Sequence, residues 1–197
     1  MDNFEGLNVL VCDDSITNAL ILMELVEKEV GANVITLTDP RKITPTLYEQ
    51  SIDLMLLDLE MPYMDGFEVM EIVRKEYEPD QLPIIIITGV EGSKTRKRAL
   101  MNGANDFLNK PFDQIEVVLR VKNLLKIHKS YILHEKNTQL LELKVQQRTS
   151  ELNKSVQSLL HSLAVAGELK DNETGKHVVR VGQYAKIIAE GINLLKI

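Results

Sequence analysis

Short apolar runs ending in acidic or polar residues recur through the first two thirds of the chain, with helical spacing between them. Residues 53–58 show the pattern most clearly, with Leu54, Met55, Leu56 and Leu57 held between Asp53 and Asp58. Four consecutive apolar residues are too few for an ordinary helix and suit a strand covered on both faces, as in a parallel sheet flanked by helices. Asp58 stands at its carboxyl end, and Pro62 and Gly66 then enforce a change of direction. Residues 7–12 form a similar run ending in Asp13-Asp14. Residues 33–38 alternate and are rich in β-branched side chains, which predicts a second strand. Residues 82–87 are mostly isoleucine and lead into Thr88-Gly89, and a brief strand at 106–109 precedes Lys110-Pro111.

Ile16, Leu20, Met23 and Val26 place a helix over 15–30, with Gly31 as its C-cap. Asp39-Pro40 can start another, but Pro45 falls inside it, so this helix either begins late or is kinked. Residues 67–77 read as a helix, and 91–102 as a short polar one stopped by Gly103. Five strands alternating with helices predict an α/β fold with a five-stranded, doubly wound parallel sheet. Right-handed crossovers place all five carboxyl ends along one edge.

From 115 to 170 there is no proline, and no glycine before Gly167. Val145, Leu152, Val156, Leu159, Leu163 and Ala166 follow a four-three rhythm that predicts a coiled-coil seam. Leu124, Ile127, Tyr131, Leu141 and Val145 fit a displaced frame that puts polar His134 and Thr138 on the seam, which implies a stutter near Arg148. A solvated helix of this length wastes its apolar stripe, so a parallel homodimer is expected; the alternative is a helix folded back on its own first domain. The expected division is 1–125, 126–170 and 171–197, the last a short helical segment.

The formal charge of −6, with no basic arm, excludes a nucleic-acid partner from the expectations. The single cysteine, Cys12, cannot form an internal disulfide, and neither a leader pattern nor a membrane-length apolar stretch is present. A soluble cytoplasmic protein without membrane insertion is expected.

The alternation has a chemical consequence. Asp13, Asp14, Asp58, Thr88 and Lys110 all fall at carboxyl ends of strands and can meet in one crevice. Each alone has a plainer reading, since Asp14 or Ser15 could cap a helix and Lys110 could be solvated; five at one edge do not. Two carboxylates about 4 Å apart repel by roughly 4 kcal/mol at an effective dielectric near 20. Three therefore call for a cation. Oxygen donors without histidine or cysteine suit Mg²⁺ or Mn²⁺. A hard ion beside a carboxylate, an ammonium and a hydroxyl is equipment for phosphoryl transfer, in which the carboxylate attacks and the others neutralise the equatorial oxygens.

The acidic pair Asp13-Asp14, Asp58 with Met61-Pro62 and Asp65-Gly66, Thr88, and the run from Gly103 through Lys110 to Phe112 together resemble the receiver domain of two-component response regulators over residues 7–125. The resemblance implies a flavodoxin-like fold in which Asp58 accepts a phosphoryl group from a sensor histidine kinase or phosphotransfer protein. It implies that Asp14, Asp58 and the backbone carbonyl of Glu60 ligate Mg²⁺, with Asp13 acting through water. It further implies that Thr88 moves toward the phosphoryl group, that Phe107 rotates inward, and that the Lys110-Pro111 bond is cis, aiming the ammonium at the site. Phe107 lacks a hydroxyl, so packing alone would hold its inward state. Gly89 stands where an alanine is usual, which predicts a more mobile loop. Glu60 lies two positions past Asp58, where its carboxylate is expected to meet the water that hydrolyses the phosphoryl group.

Residues 168–181 resemble the opening of an HD-GYP domain, the cyclic di-GMP phosphodiesterase module, through Glu168, Asp171, Thr174, Gly175, His177, Arg180 and Val181. Residues 171–175 can equally form a helix-turn-helix corner in which Thr174 caps the next helix. The His-Asp pair and the Gly-Tyr-Pro segment that name that family do not occur, and Glu168 and His177 are too few ligands for a hydrolytic metal centre. No phosphodiesterase activity is expected of the chain as given, read as a fragment of a longer regulator. Two functions remain: a receiver and coiled coil that gate a phosphodiesterase output, or a phosphorylation-gated dimerisation or scaffold protein without enzymatic output.

Overall fold

A computed structural model describes residues 4–89, 93–170, 179–184 and 186. Two compact units, Met1–Lys136 and Asn137–Ile197, divide the chain. The first holds a sheet of β1 (Asn8–Cys12), β2 (Asn33–Leu37), β3 (Leu54–Asp58), β4 (Ile84–Thr88) and β5 (Asp106–Asn109) in the order β2-β1-β3-β4-β5. Every adjacent pair is parallel, as the apolar runs predict. Between the strands lie α1 (Ile16–Leu25), α2 (Ile43–Glu49), α3 (Gly66–Val73) and α4 (Ser93–Met101).

Alternation along each strand divides the core into two layers. Val9, Val11, Leu54, Leu56, Ile85 and Ile87 point to one face, where Ala19 and Leu22 of α1 and Val117, Val121 and Leu125 cover them. Leu10, Cys12, Met55, Leu57, Ile84 and Ile86 point to the other, beneath Ile43, Val69, Met70, Val73 and Ala99. β3 and β4 are buried at every position, which is why they read as unbroken apolar runs.

Three boundaries differ from the sequence pattern for identifiable reasons. The helix expected over 15–30 ends in a π-helical turn, Val26–Val30, because the amide of Gly31 reaches back to the carbonyl of Val26. Gly31 sits at φ 79°, the left-handed conformation that suits a C-cap glycine. The helix after Asp39 begins late: Pro40–Lys42 is a 3-10 turn capped by Asp39, and Pro45 is the third residue of α2, where no intrahelical amide bond is lost. The helix expected over 67–77 is regular only to Val73 and continues as turns.

The helix after β5, α5 (Gln114–Lys170), runs unbroken for 57 residues. Its first turns belong to the core of the first unit, and this corrects one sequence assignment. Leu124, placed on an intermolecular seam, is buried with Val121 and Leu125 against the sheet, because the apolar stripe there is spent within the chain. In the second unit Val145, Leu152, Val156, Leu159 and Leu163 are exposed. No described helix is long and apolar enough to cross a membrane.

Candidate functional site

Strand register levels the tips of four neighbouring strands. Cys12 pairs with Leu57, Asp58 with Ile87, and Thr88 with Asn109, so Asp13, Asp14, Asp58, Thr88 and Lys110 emerge along one edge. The sheet order reverses direction between β1 and β3, the place where open α/β sheets bind ligands. Asp13-Asp14 and Asp58 stand on its two sides.

Lys110 gathers the acids. Its Nζ donates to Asp58 Oδ2 at 2.7 Å and to Asp13 Oδ2 at 2.8 Å. Asp14 completes the set, with one oxygen from each of the three carboxylates lying within 4.8 Å of the others. Asp13 is fully buried and Asp58 2% exposed, whereas Asp14 is open to solvent. Burial pushes the Asp58 carboxyl above its usual range and Asp13 adds to this, with Lys110 opposing them. Burial weakens the Lys110 ammonium, but its two carboxylates outweigh that and hold its pKa above the ordinary lysine value. One ammonium faces three carboxylates, and this excess of negative charge fits a hard divalent cation held by oxygen donors.

The loop after β3 is shaped by contact. Gly66 packs so tightly that a Cβ there would stand 2.5 Å from the Asp58 carbonyl oxygen and 2.9 Å from Leu59 Cα. Asp65 and Glu68 form a reciprocal capping box that starts α3 immediately behind the loop. The Glu60 amide donates to Asp58 Oδ1 at 3.4 Å. A Cβ on Gly89 would lie 3.3 Å from Glu60 Oε2, so the missing side chain leaves room for that carboxylate.

Thr88 ends β4 and is 4% exposed, and its carbonyl accepts the Lys110 amide at 2.8 Å. Lys110-Pro111 is cis, as the family resemblance implies. Phe107 pairs in register with Ile86, two residues short of the strand tip. Its ring is partly buried beneath the Arg96 guanidinium, 3.9 Å from the centroid. It therefore lies off the acidic cluster.

Two contributors escaped the sequence pattern. Asn18, in the first turn of α1, donates its Nδ2 to both Asp13 oxygens at 3.3 Å, while the Ser15 amide bonds Asp13 Oδ1 at 2.9 Å. Its offset from Asp13 becomes visible only once Ser15 is known to cap the helix. Arg74 bonds the carbonyls of Gly103, Leu82 and Tyr77, tying α3 to the segments that flank β4 and β5. Burial lowers its pKa to about 10.

Of the C-terminal motif, Asp171, Thr174, Gly175 and His177 and the side chain of Glu168 lie outside the described residues. Arg180 is exposed on helical residues 179–184.

Comparison with known proteins agrees with this geometry. Residues 9–122 match the response regulator receiver domain. The "cyclic di-GMP phosphodiesterase response regulator RpfG" of Xanthomonas campestris pv. campestris (strain 8004) is 30% identical over 190 residues, covering 96% of this chain and 50% of that protein. A "probable cyclic di-GMP phosphodiesterase" of Vibrio cholerae serotype O1 is 26% identical over 190 residues, covering 96% of this chain and 43% of that protein. The chain thus spans half or less of the length of both relatives. Among solved structures, the receiver domain of Francisella response regulator 1452 is 29% identical at a TM-score of 0.57, covering 61% of this chain and 98% of that one. A putative two-component response regulator/GGDEF domain protein is 35% identical at a TM-score of 0.59, covering 62% of this chain and 50% of that one. Fold, strand-tip acids and sequence agree, and the chain belongs to the response regulator receiver family.

Proposed function

We propose that the protein accepts a phosphoryl group on Asp58 from the phosphohistidine of a sensor histidine kinase or phosphotransfer protein, in the cytoplasm. The carrying observation is the Lys110 ammonium bonded to both Asp13 and Asp58, with Asp14 within reach of the same point. An oxygen of Asp58 attacks phosphorus, the phosphorus–nitrogen bond breaks with its electron pair left on the donor imidazole, and an aspartyl phosphate forms. Lys110 neutralises charge on the transferring group, and the Thr88 hydroxyl donates to one of its oxygens.

Asp14, Asp58 and the Glu60 carbonyl would hold Mg²⁺ or Mn²⁺, with Asp13 acting through water. When bound, the ion supplies Lewis-acid neutralisation of the equatorial oxygens. Asp13, fixed by Lys110, Ser15 and Asn18, is oriented before the donor arrives. Glu60 extends over Gly89 at the mouth of the site and meets the water that later hydrolyses the acyl phosphate.

Thr88 and Phe107 carry the switch: Thr88 moves toward the phosphoryl group, and the Phe107 ring turns inward from beneath Arg96. The domains are 1–125 for the receiver, 126–170 for a dimerising signalling helix and 171–197 for the start of an output module. The exposed apolar row from Val145 to Leu163 supports parallel pairing of two chains. The 96% coverage by two relatives named for cyclic di-GMP phosphodiesterase activity supports an HD-GYP output joined to this helix.

The test is acetyl phosphate with Mg²⁺, followed by intact-mass measurement. One added phosphoryl group is expected on the wild type, and none on Asp58→Asn or after chelation of the metal. Equal labelling of Asp58→Asn overturns the assignment.

A further inference from the structure

At the other end of β3 from Asp58 lies a buried histidine that the phosphoryl chemistry does not use. His128 is on α5, near the last turn that packs on the receiver, and is 3% exposed. Its Nε2 lies 3.3 Å from Asp53 Oδ1, and its Nδ1 lies 3.1 Å from the Asp80 carbonyl oxygen. Both partners only accept hydrogen bonds. A neutral imidazole has one N–H, so it can satisfy one of them and must turn a lone pair toward the other; an imidazolium satisfies both. Asp53 is itself fixed, its Oδ2 accepting the Asn8 amide at 2.7 Å, so it cannot turn away.

We infer that His128 is a proton-operated latch: charged, it ties the root of α5 to the start of β3 and to the segment before β4, and on losing its proton it releases one of the two ties. The inference is independent of the phosphoryl-transfer reading. It concerns how firmly the signalling helix is seated on the receiver.

The groove around the latch is acidic. Besides Asp53, Glu76 and Tyr77 face it from the segment around the end of α3, and Tyr131 and Glu135 from α5, with Gln81 and Ser51 between them. Asp80 contributes its carbonyl from the segment before β4. Lys126 and Lys129 flank His128 in sequence but do not line the groove. Burial opposes the charge on His128, yet the bonds to Asp53 and the Asp80 carbonyl outweigh it and hold its pKa above the ordinary 6.5. The latch is therefore complete below that value and is lost as pH rises through the raised one. A raised imidazole pKa places the transition above the free-imidazole value.

The test uses the full chain without phosphodonor, so a failed phosphorylation assay has no bearing on it. Imidazole ¹⁵N spectra, with His128 assigned by its loss in His128→Gln, should show two ring protons persisting above the free-imidazole value. In Asp53→Asn, which keeps an acceptor for the Asn8 amide, His128 should titrate lower than in wild type. Amide exchange at residues 124–132, corrected for intrinsic rates, should quicken about tenfold between about pH 6 and about pH 9 in wild type, and not in His128→Gln. A singly protonated His128 at about pH 6 overturns the inference, as does an exchange profile identical in wild type and Asp53→Asn. Asp53→Asn keeps the acceptor for the Asn8 amide and replaces the oxygen that faces His128 with an amide nitrogen, removing that tie together with its charge, so it decides the matter if His128→Gln fails to fold.

Discussion

Asp13 shows how much a single carboxylate in this site depends on its neighbours. It is fully buried and receives Lys110, the Ser15 amide and Asn18, so removing Asn18 withdraws a donor from a charge that cannot reach water. Asn18→Ala is expected to cost about 1–2 kcal/mol in urea unfolding. It should also weaken Mg²⁺ binding in calorimetric titration by severalfold, since Asp13 can then rotate. Gly89 and Glu60 form a second coupled pair, because a methyl group on Gly89 would press on Glu60 Oε2. Gly89→Ala and Glu60→Ala should therefore shift the rate of phosphate loss from Asp58 in the same direction, each within about tenfold, the scale of roughly 1.4 kcal/mol in a barrier. Half-lives of the trapped phosphoprotein measure this, and an unchanged rate in Glu60→Ala removes the role assigned to its carboxylate.

Elements set the positions that residues then use. The loop between β3 and α3 is held from behind by the Asp65–Glu68 capping box and by the close approach of Gly66 to the Asp58 carbonyl. Gly66→Ala forces a backbone to move rather than a flexible side chain. It should destabilise the protein by about 1–3 kcal/mol and slow acetyl phosphate labelling through displacement of Asp58. Thermal unfolding together with initial labelling rates separates the two effects. α5 shows the same dependence over a longer distance: Val117, Val121, Leu124 and Leu125 are buried in the core against the sheet, whereas Val145, Leu152, Val156, Leu159 and Leu163 are exposed. One continuous helix thus carries a stretch buried against the sheet and a stretch with its apolar row exposed.

For the whole molecule, charge and association are the measurable properties. The acid cluster gathers three carboxylates against one ammonium, so a divalent ion that binds only the folded state should stabilise it. Saturation at about a hundredfold over the dissociation constant corresponds to about 2.7 kcal/mol, seen as a higher melting temperature in Mg²⁺ than in chelator. Asp14→Ala should abolish most of that gain while leaving the Lys110 contacts in place. Light scattering of the full chain should give twice the mass of one chain, and Leu152→Asp with Leu159→Asp should halve it, because charge on a coiled-coil seam is costly to bury.

The order of strands and helices, the parallel sheet and the alignment of Asp13, Asp14, Asp58, Thr88 and Lys110 on one edge were legible in the sequence. Fully covered strands leave unbroken apolar runs, and parallel crossovers send every carboxyl end the same way. Local geometry was partly legible: Gly31 marked the end of the helical run that begins with α1, but the π-helical turn before it depends on where the Gly31 amide finds an acceptor. Only the tertiary structure decided which distant groups meet. Asn18 reaches Asp13 because a cap turns the first helical residues back over β1, and Leu124 belongs to the core because α5 docks before it departs. His128 acquires two acceptors from segments 75 and 48 residues away in sequence, Asp53 and Asp80, and no periodicity along α5 records that encounter. Periodicity reports which face of an element is buried; the partner on that face is fixed by packing between elements, which the one-dimensional pattern does not contain.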